Sequence, residues 1–112
     1  MARDKLYNLL DEIIHQQTRL AIMATLAGIE SLDFNDLRAQ LGLTDGNLSS
    51  HLAALERAGY ARITKTFCRK KPRTTISQTP KGTRALRNYV NHLQDILDKA
   101  RPQDKANRKT GN

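Results

Sequence analysis

The chain contains no tryptophan, one cysteine and three prolines, and its 112 residues include only three Tyr and two Phe. A single cysteine excludes an intrachain disulfide and a cysteine-based zinc site. Scarce aromatic rings argue against base stacking, the means by which single strands and RNA are commonly held. No apolar run approaches the ~20 residues that span a bilayer. The segment Met1–Asp11 lacks the basic-then-apolar order of a secretory signal, so a soluble, cytoplasmic protein is expected. There is no phosphate-cradling glycine loop and no Ser-His-Asp series. None of His15, His51 and His92 has a second His or Cys at ligand spacing. Asp11 and His15, at i and i+4, are a pair a helix would bring to one face for a metal. Neither an enzyme nor a resident metal or cofactor is expected. The length allows one domain with one modest core.

The sequence is rich in positive charge. It has 19 Lys and Arg against 11 Asp and Glu, a formal charge of +8. That excess is local. Residues 1–30 and 31–58 are net −1 and −2, whereas 59–85 hold eight basic groups and no acid. Residues 86–112 add +3. A basic block of this kind favours a polyanionic partner, nucleic acid before a membrane surface.

Apolar spacing predicts the elements. Leu6, Leu9, Leu10, Ile13 and Ile14 predict an amphipathic helix over 3–15. Leu20, Ile22, Met23, Leu26 and Ala27 predict another over 17–28, and residues 31–33 a short extended stub. Asp33, with Asp36 three residues on, caps a short helix that turns Leu37 and Leu41 inward and ends at Gly42. Thr44 caps the next, with Asp45 in the first turn, where the helix dipole favours an acid. Its inner face is Leu48, Leu52 and Leu55, and Gly59 stops it. The period then shortens to two. Residues 60–67 read as a strand, Cys68–Arg73 as a basic turn in which Pro72 interrupts the ladder, and Thr74–Thr79 as the return strand. Phe67, at the base of this hairpin, is expected in the core. Thr79 and Pro80 open a long helix to about Ala100, ended by Pro102. The expected fold is mainly α with a small β-hairpin, in the order helix-helix-(short strand)-helix-helix-hairpin-long helix. That is a winged helix-turn-helix.

Around the 45–58 helix at ~100° per residue, Gly46, Asn47, Ser50, Ala53, Ala54 and Arg57 point away from the leucines, with Ser49 and His51 on the flanks. This small, polar surface suits the major groove, where a recognition helix meets base edges. Asn47, Ser49, Ser50 and His51 are the candidate base contacts. Thr44, Arg57, Lys65, Arg69, Lys70, Lys71, Arg73, Lys81 and Arg84 are the candidate phosphate contacts. Lys81 and Arg84 stand in the first turns of the last helix, where the dipole disfavours cations, which suggests a phosphate nearby. Cys68, beside Arg69 and Lys70, is a candidate redox-sensitive thiol.

The last helix carries Leu86, Val90, Leu93 and Leu97 at spacings of 4, 3 and 4, with Tyr89 and Ile96 widening the stripe. One small body cannot cover all of it. Together with Leu6, Leu9, Leu10 and Ile13 these residues form the candidate interface of a homodimer, which would offer two recognition helices to half-sites ~10 bp apart. Residues 1–101 are read as a DNA-binding and dimerisation domain. Residues 102–112, with one Ala and no larger apolar residue from Gln103 on, are read as a disordered basic tail.

Two stretches resemble winged helix regulators of the ArsR/MarR type, in particular their short single-domain members. HQQTRLAIMATLAG, His15–Gly28, is similar to the helix those proteins open with His-Pro-x-Arg, with Gln in place of proline. LGLTDGNLSSHLAALERAGYARITKTFCRKKPRTTISQTPKG, Leu41–Gly82, is similar to their recognition helix, wing and following helix start. The resemblance implies a dimeric, sequence-specific double-stranded DNA-binding regulator, usually a repressor, on a palindromic site. It assigns DNA contacts to Ser49, Ser50 and His51 and the wing arginine to Arg73. The paired cysteines by which many ArsR members sense metals are absent, and Asp95 and His92 do not complete the metal set of the last helix. Two alternatives stand beside this reading: a protein-docking winged helix module, and a non-specific architectural DNA-binding protein. No small-molecule effector can be named from the sequence.

Overall fold

The computed structural model describes residues 10–101. Among the described residues, four helices and a three-stranded antiparallel sheet follow in the order α1 (Gln17–Leu26), β1 (Leu32–Asp33), α2 (Phe34–Leu41), α3 (Asp45–Arg57), β2 (Ala61–Cys68), β3 (Lys71–Gln78) and α4 (Pro80–Lys99). The strand order is β1-β3-β2. This is a winged helix, mainly α, as the spacing predicts.

The helix ends are set by local side-chain bonds. Asp33 Oδ1 accepts from the Asn35 N–H at 2.8 Å, Thr44 Oγ1 from Asn47 at 3.1 Å and Thr79 Oγ1 from Gly82 at 3.0 Å. Each satisfies a donor that a helix start leaves without a carbonyl partner. Gly42 (φ 65°) and Gly59 (φ 81°) close α2 and α3 in the left-handed region. The Leu43 N–H reaches Arg38 O and the Tyr60 N–H reaches Leu55 O, the Schellman arrangement that turns the chain sharply between elements.

The core lies where the three short helices meet the sheet. Ile22, Met23, Leu26, Leu37, Leu48, Leu52, Leu55 and Ile76 are at most 1% exposed and form one cluster. Gln78 Nε2 ties β3 to α1 by donating to Met23 O at 2.8 Å. Burial is clean: no buried side-chain N or O among the described residues lacks a partner.

Three expectations need correction. First, residues 10–16 are a turn and not the end of a helix, and residues 3–9 of the predicted helix lie outside the described residues. Asp11 Oδ1 accepts from the N–H groups of Ile13 (2.8 Å) and Ile14 (3.3 Å), a local alternative to helical bonding. The turn still buries Ile14 completely, so the apolar spacing reports burial but not helix. α1 also ends at Leu26, two residues early, where Ala27 turns extended.

Second, the hairpin turn is only Arg69 and Lys70, and β3 starts at Lys71. Pro72 pairs with Phe67 inside the ladder. In a two-residue hairpin the pair next to the closing one makes no cross-strand hydrogen bonds, so proline's missing N–H is not needed there. Third, Phe67 is not core: it is 77% exposed. It lies on the same sheet face as Ala61 and Ile63, but the body beneath that face ends before it.

Candidate nucleic-acid interface

α2, the Gly42-Leu43-Thr44 turn and α3 form the helix-turn-helix. α3 drives Leu48, Leu52 and Leu55 into the core and so fixes its other faces. Gly46, Asn47, Ser50 and Arg57 are exposed, as the spacing predicts, and so are Thr44 and Ser49, whereas Ala53 and Ala54 of the predicted outer face are half-buried. Ser49 faces the wing rather than straight outward. It lines a cleft of about 410 Å³ with Asp45, Ala53 and Glu56 of α3, Phe34, and Ile63, Lys65 and Thr74 of the hairpin. Asp45 is also drawn to one side by an ion pair with Arg38.

His51 occupies the opposite flank and is half-buried. Its Nδ1 meets Arg19 Nη1 of α1 at 3.2 Å. Arg19 in turn donates through Nε to Ile13 O at 2.6 Å. Of the candidate reading residues, then, Asn47, Ser49 and Ser50 stand at the surface, while His51 is held from below.

The wing projects beyond the body. Its turn residues Arg69 (φ 53°) and Lys70 (φ 68°) are both left-handed without being glycine. Asn-Gly is the ordinary choice for such a turn. Left-handed backbone with a Cβ costs roughly 1–2 kcal/mol per residue. Lys65, Arg69, Lys70, Lys71 and Arg73 are all exposed. Strand alternation puts Lys65 on the face that continues the cleft and Lys71 and Arg73 on the other. Arg73 is not an unengaged cation: its Nε lies 3.2 Å from Asp33 Oδ2, tying the wing to β1. Lys81 sits over the Tyr60 ring, with Nζ 5.8 Å from its centroid, and Arg84 is exposed on α4. Cys68 is a free, exposed thiol paired in register with Lys71.

The candidate dimer residues divide. Tyr89 is 2% exposed, and its hydroxyl lies 2.6 Å from His15 Nδ1, so it belongs to the body and not to an open face. Burial raises its pKa. Ile13 and Leu86 pack partly against the core. Val90 (50%) and Leu97 (47%) are exposed, with Leu93 and Ile96 half-buried beside them, so α4 does keep an apolar strip at the surface. Leu10 is half-buried, and Leu6 and Leu9 lie outside the described residues.

Asp11 and His15 do not converge. Asp11 Oδ2 accepts from the Tyr60 hydroxyl, and His15 turns to Tyr89. Burial and the Asp11 carboxylate push the Tyr60 phenol up to about 12. Among the described residues no group of three or more His, Cys, Asp or Glu could hold a metal ion, and no helix is long and apolar enough to cross a membrane. The sequence marks Asp33 only as a helix cap, not as the partner of Arg73, and singles out neither Arg19 nor Arg38. Of those two arginines, Arg19 has a signal, as the arginine of the His15–Gly28 stretch.

Comparison with known proteins agrees with this geometry. A family model described as a winged helix DNA-binding domain matches residues 18–97. An uncharacterized protein of Methanocaldococcus jannaschii is 39% identical over 85 residues, covering 76% of this chain and 92% of that one. The solved structure of a transcriptional regulator homologue from Pyrococcus horikoshii superposes with a TM-score of 0.80 at 28% identity, covering 87% of this chain and 97% of that one. A putative transcriptional regulator of Salmonella typhimurium shares the fold at 24% identity and a TM-score of 0.64, covering 96% of this chain and 90% of that one. The ArsR/MarR-type resemblance of the sequence fits these matches, which support a DNA-binding transcriptional regulator. The chain belongs to the winged helix DNA-binding domain family.

Proposed function

We propose that the protein is a homodimeric repressor that binds a palindromic double-stranded DNA site, its two α3 helices entering successive major grooves. The observation that carries this reading is the wing. A turn made of Arg69 and Lys70 against backbone preference is hard to account for as solvation alone, because Asn-Gly would hold the same hairpin with less strain. A phosphate backbone gives those cations a reason to be there.

In this reading Asn47, Ser49, Ser50 and His51 meet base edges. Lys65, Arg69, Lys70, Lys71 and Arg73 grip phosphates along the wing, with Thr44, Arg57, Lys81 and Arg84 at the margins. Engaging DNA through Arg73 requires sharing it with Asp33. The exposed strip Val90, Leu93, Ile96 and Leu97, with the segment before residue 10, supplies the dimer contact, and 1–101 acts as one functional domain. Occupancy of the site would block polymerase in the cytoplasm. Cys68 is kept only as a candidate thiol.

Selection of bound duplexes from a random pool at two salt concentrations tests the reading. An enriched palindrome, and affinity falling steeply with salt, is the expected result. Binding retained without enrichment would replace it with architectural binding. No binding, with an acidic protein captured instead, would point to a docking module. Sedimentation showing only monomer at micromolar concentration would remove the dimer.

A further inference from the structure

Arg19 is half-buried on α1, at the back of the helix-turn-helix, and it holds two distant groups at once. Nε donates to Ile13 O at 2.6 Å, and Nη1 lies 3.2 Å from His51 Nδ1. A guanidinium has five donors and no acceptor. Nδ1 must therefore accept, and the neutral ring must carry its proton on Nε2. That second nitrogen diverges from the first across the ring. No partner for it is found among the described residues, and none of their buried side-chain nitrogens is unpaired. Nε2–H is thus at the solvent boundary, on the flank of α3 next to exposed Ser50 and Asn47.

We propose that Arg19 is a positioning residue: it fixes the rotation and tautomer of His51 so that Nε2–H is presented to the major groove as a donor only, favouring an acceptor edge, guanine first, and excluding cytosine at one position of the site. This deepens the duplex-reading function above and rests on it. An unheld neutral histidine can offer either a donor or an acceptor, and so tolerates bases of either pattern. The held ring rejects cytosine, whose N4 offers only a donor, and favours the N7/O6 edge of guanine, with two acceptors and no donor, over thymine O4, crowded by its methyl group, and adenine N7, beside the N6 donor. The anchor is stiff because Arg19 is itself tied down: Ile13 O holds its guanidinium, and its backbone N–H is taken by Gln16 Oε1 at 2.8 Å. Base selectivity is thereby set partly by a residue that touches no base.

Long-range ¹H–¹⁵N spectra of the full chain at about pH 8, where histidine is ordinarily neutral, test the first half directly. The expected pattern is an unprotonated Nδ1 and a protonated Nε2 for His51; the reverse tautomer would overturn the proposal. The second half is read on the selected duplex by changing each base pair in turn. Arg19→Met should lose about tenfold discrimination at one G·C pair and little elsewhere. His51→Ala should lose discrimination at the same pair, and the double variant should lose no more than either single one. Additive losses, or losses spread over the whole site, would make Arg19 merely structural. His51→Gln, whose amide nitrogen can take the place of Nε2, and Arg19→Lys, which keeps a donor, should both retain the preference even if Arg19→Met folds poorly. Loss in both conservative variants would sink the idea. If the wild type selects no duplex at all, the function proposed above fails. If it selects one and the variants leave its preferences unchanged, only the role of Arg19 and His51 fails.

Discussion

The body and the wing of this protein are built on opposite terms. In the body, caps, glycine stops and leucine spacing agree with one another, and no buried side-chain polar atom among the described residues lacks a partner. In the wing, like charges crowd a two-residue turn, both turn residues are left-handed without being glycine, and a phenylalanine stands in water. Local rules that agree throughout a core and are then broken together in one hairpin mark the place where something other than stability was selected.

The largest effect should come from the joint that fastens α4 to the body. A Cβ built on Gly82 would lie 2.2 Å from the Tyr60 carbonyl oxygen, a backbone atom that cannot swing away. The same carbonyl accepts from the Thr79 N–H at 3.1 Å, and Thr79 Oγ1 donates to Gly59 O at 2.5 Å, so the contact is pinned on both sides. Gly82→Ala should therefore destabilise the protein by at least the ~1–3 kcal/mol typical of overpacking, read as a lower denaturation midpoint. An unchanged midpoint would mean that the joint is loose and the body less uniform than it looks.

The wing should respond with the opposite sign. Replacing Arg69 by Asn and Lys70 by Gly supplies residues suited to left-handed backbone and removes two like charges, so the double variant should gain roughly 1–2 kcal/mol of stability. It should bind duplex DNA more weakly. The slope of log affinity against log salt should fall by up to about two, one for each phosphate contact given up. A variant that is both more stable and equally tight in binding would deny the turn its proposed role.

How much of this was legible in the sequence depends on the range of the interactions. The caps at Asp33, Thr44 and Thr79 could be read because each side chain bonds a backbone N–H two or three residues away. The inner leucines of α3 could be read because burial follows the helical period. The 10–16 turn could not. Its Asp11 is held from the other side by Tyr60, 49 residues on, and Leu10, Ile13 and Ile14 satisfy helical spacing whether or not a helix forms. The Arg19–His51 contact spans 32 positions and has no spacing signature. The sequence spreads the wing turn over too many residues because it lacks an Asn-Gly signal and because Pro72 points to an interruption. The candidate DNA-facing residues were legible as types, small polar ones on a helix and basic ones on a hairpin. Which of them are engaged by Asp33 or by the Tyr60 ring was not.

A smaller effect belongs to the Tyr60–Asp11 bond, which holds the N-terminal turn to the start of the sheet. Burial first, and then the carboxylate, raise the Tyr60 phenol from 10.0 to about 12. The folded state thus favours the neutral phenol. Its stabilisation is complete below pH 10 and is lost as pH rises from 10 to about 12. Part of the ring is in water, so the loss should be modest. Melting of wild type against Tyr60→Phe across that window checks it: the difference between the two should shrink as pH rises. A constant difference would place the phenol outside any linkage with Asp11.

The smallest effect is expected at Phe67. Alternation places it on the inner face of the sheet with Ala61, Ile63 and Lys65, which is why it looks like a core residue on paper. The partner strand covers it only with Pro72, and the third strand reaches no farther than Thr75 and Ile76 of β3, so the sheet around Phe67 is two strands wide. A ring that remains 77% exposed has removed little apolar surface from water and gains little by folding. Phe67→Ala should thus shift stability by no more than about 0.5 kcal/mol, the range of ordinary surface changes. A loss above about 1 kcal/mol would require that something cover the ring in solution. If that loss grew with protein concentration, the cover would be a second copy of the chain, and the wing would belong in part to the dimer. If it did not, the hairpin would fold back on its own body, and the contrast between a packed body and a projecting wing would have to be redrawn at this residue.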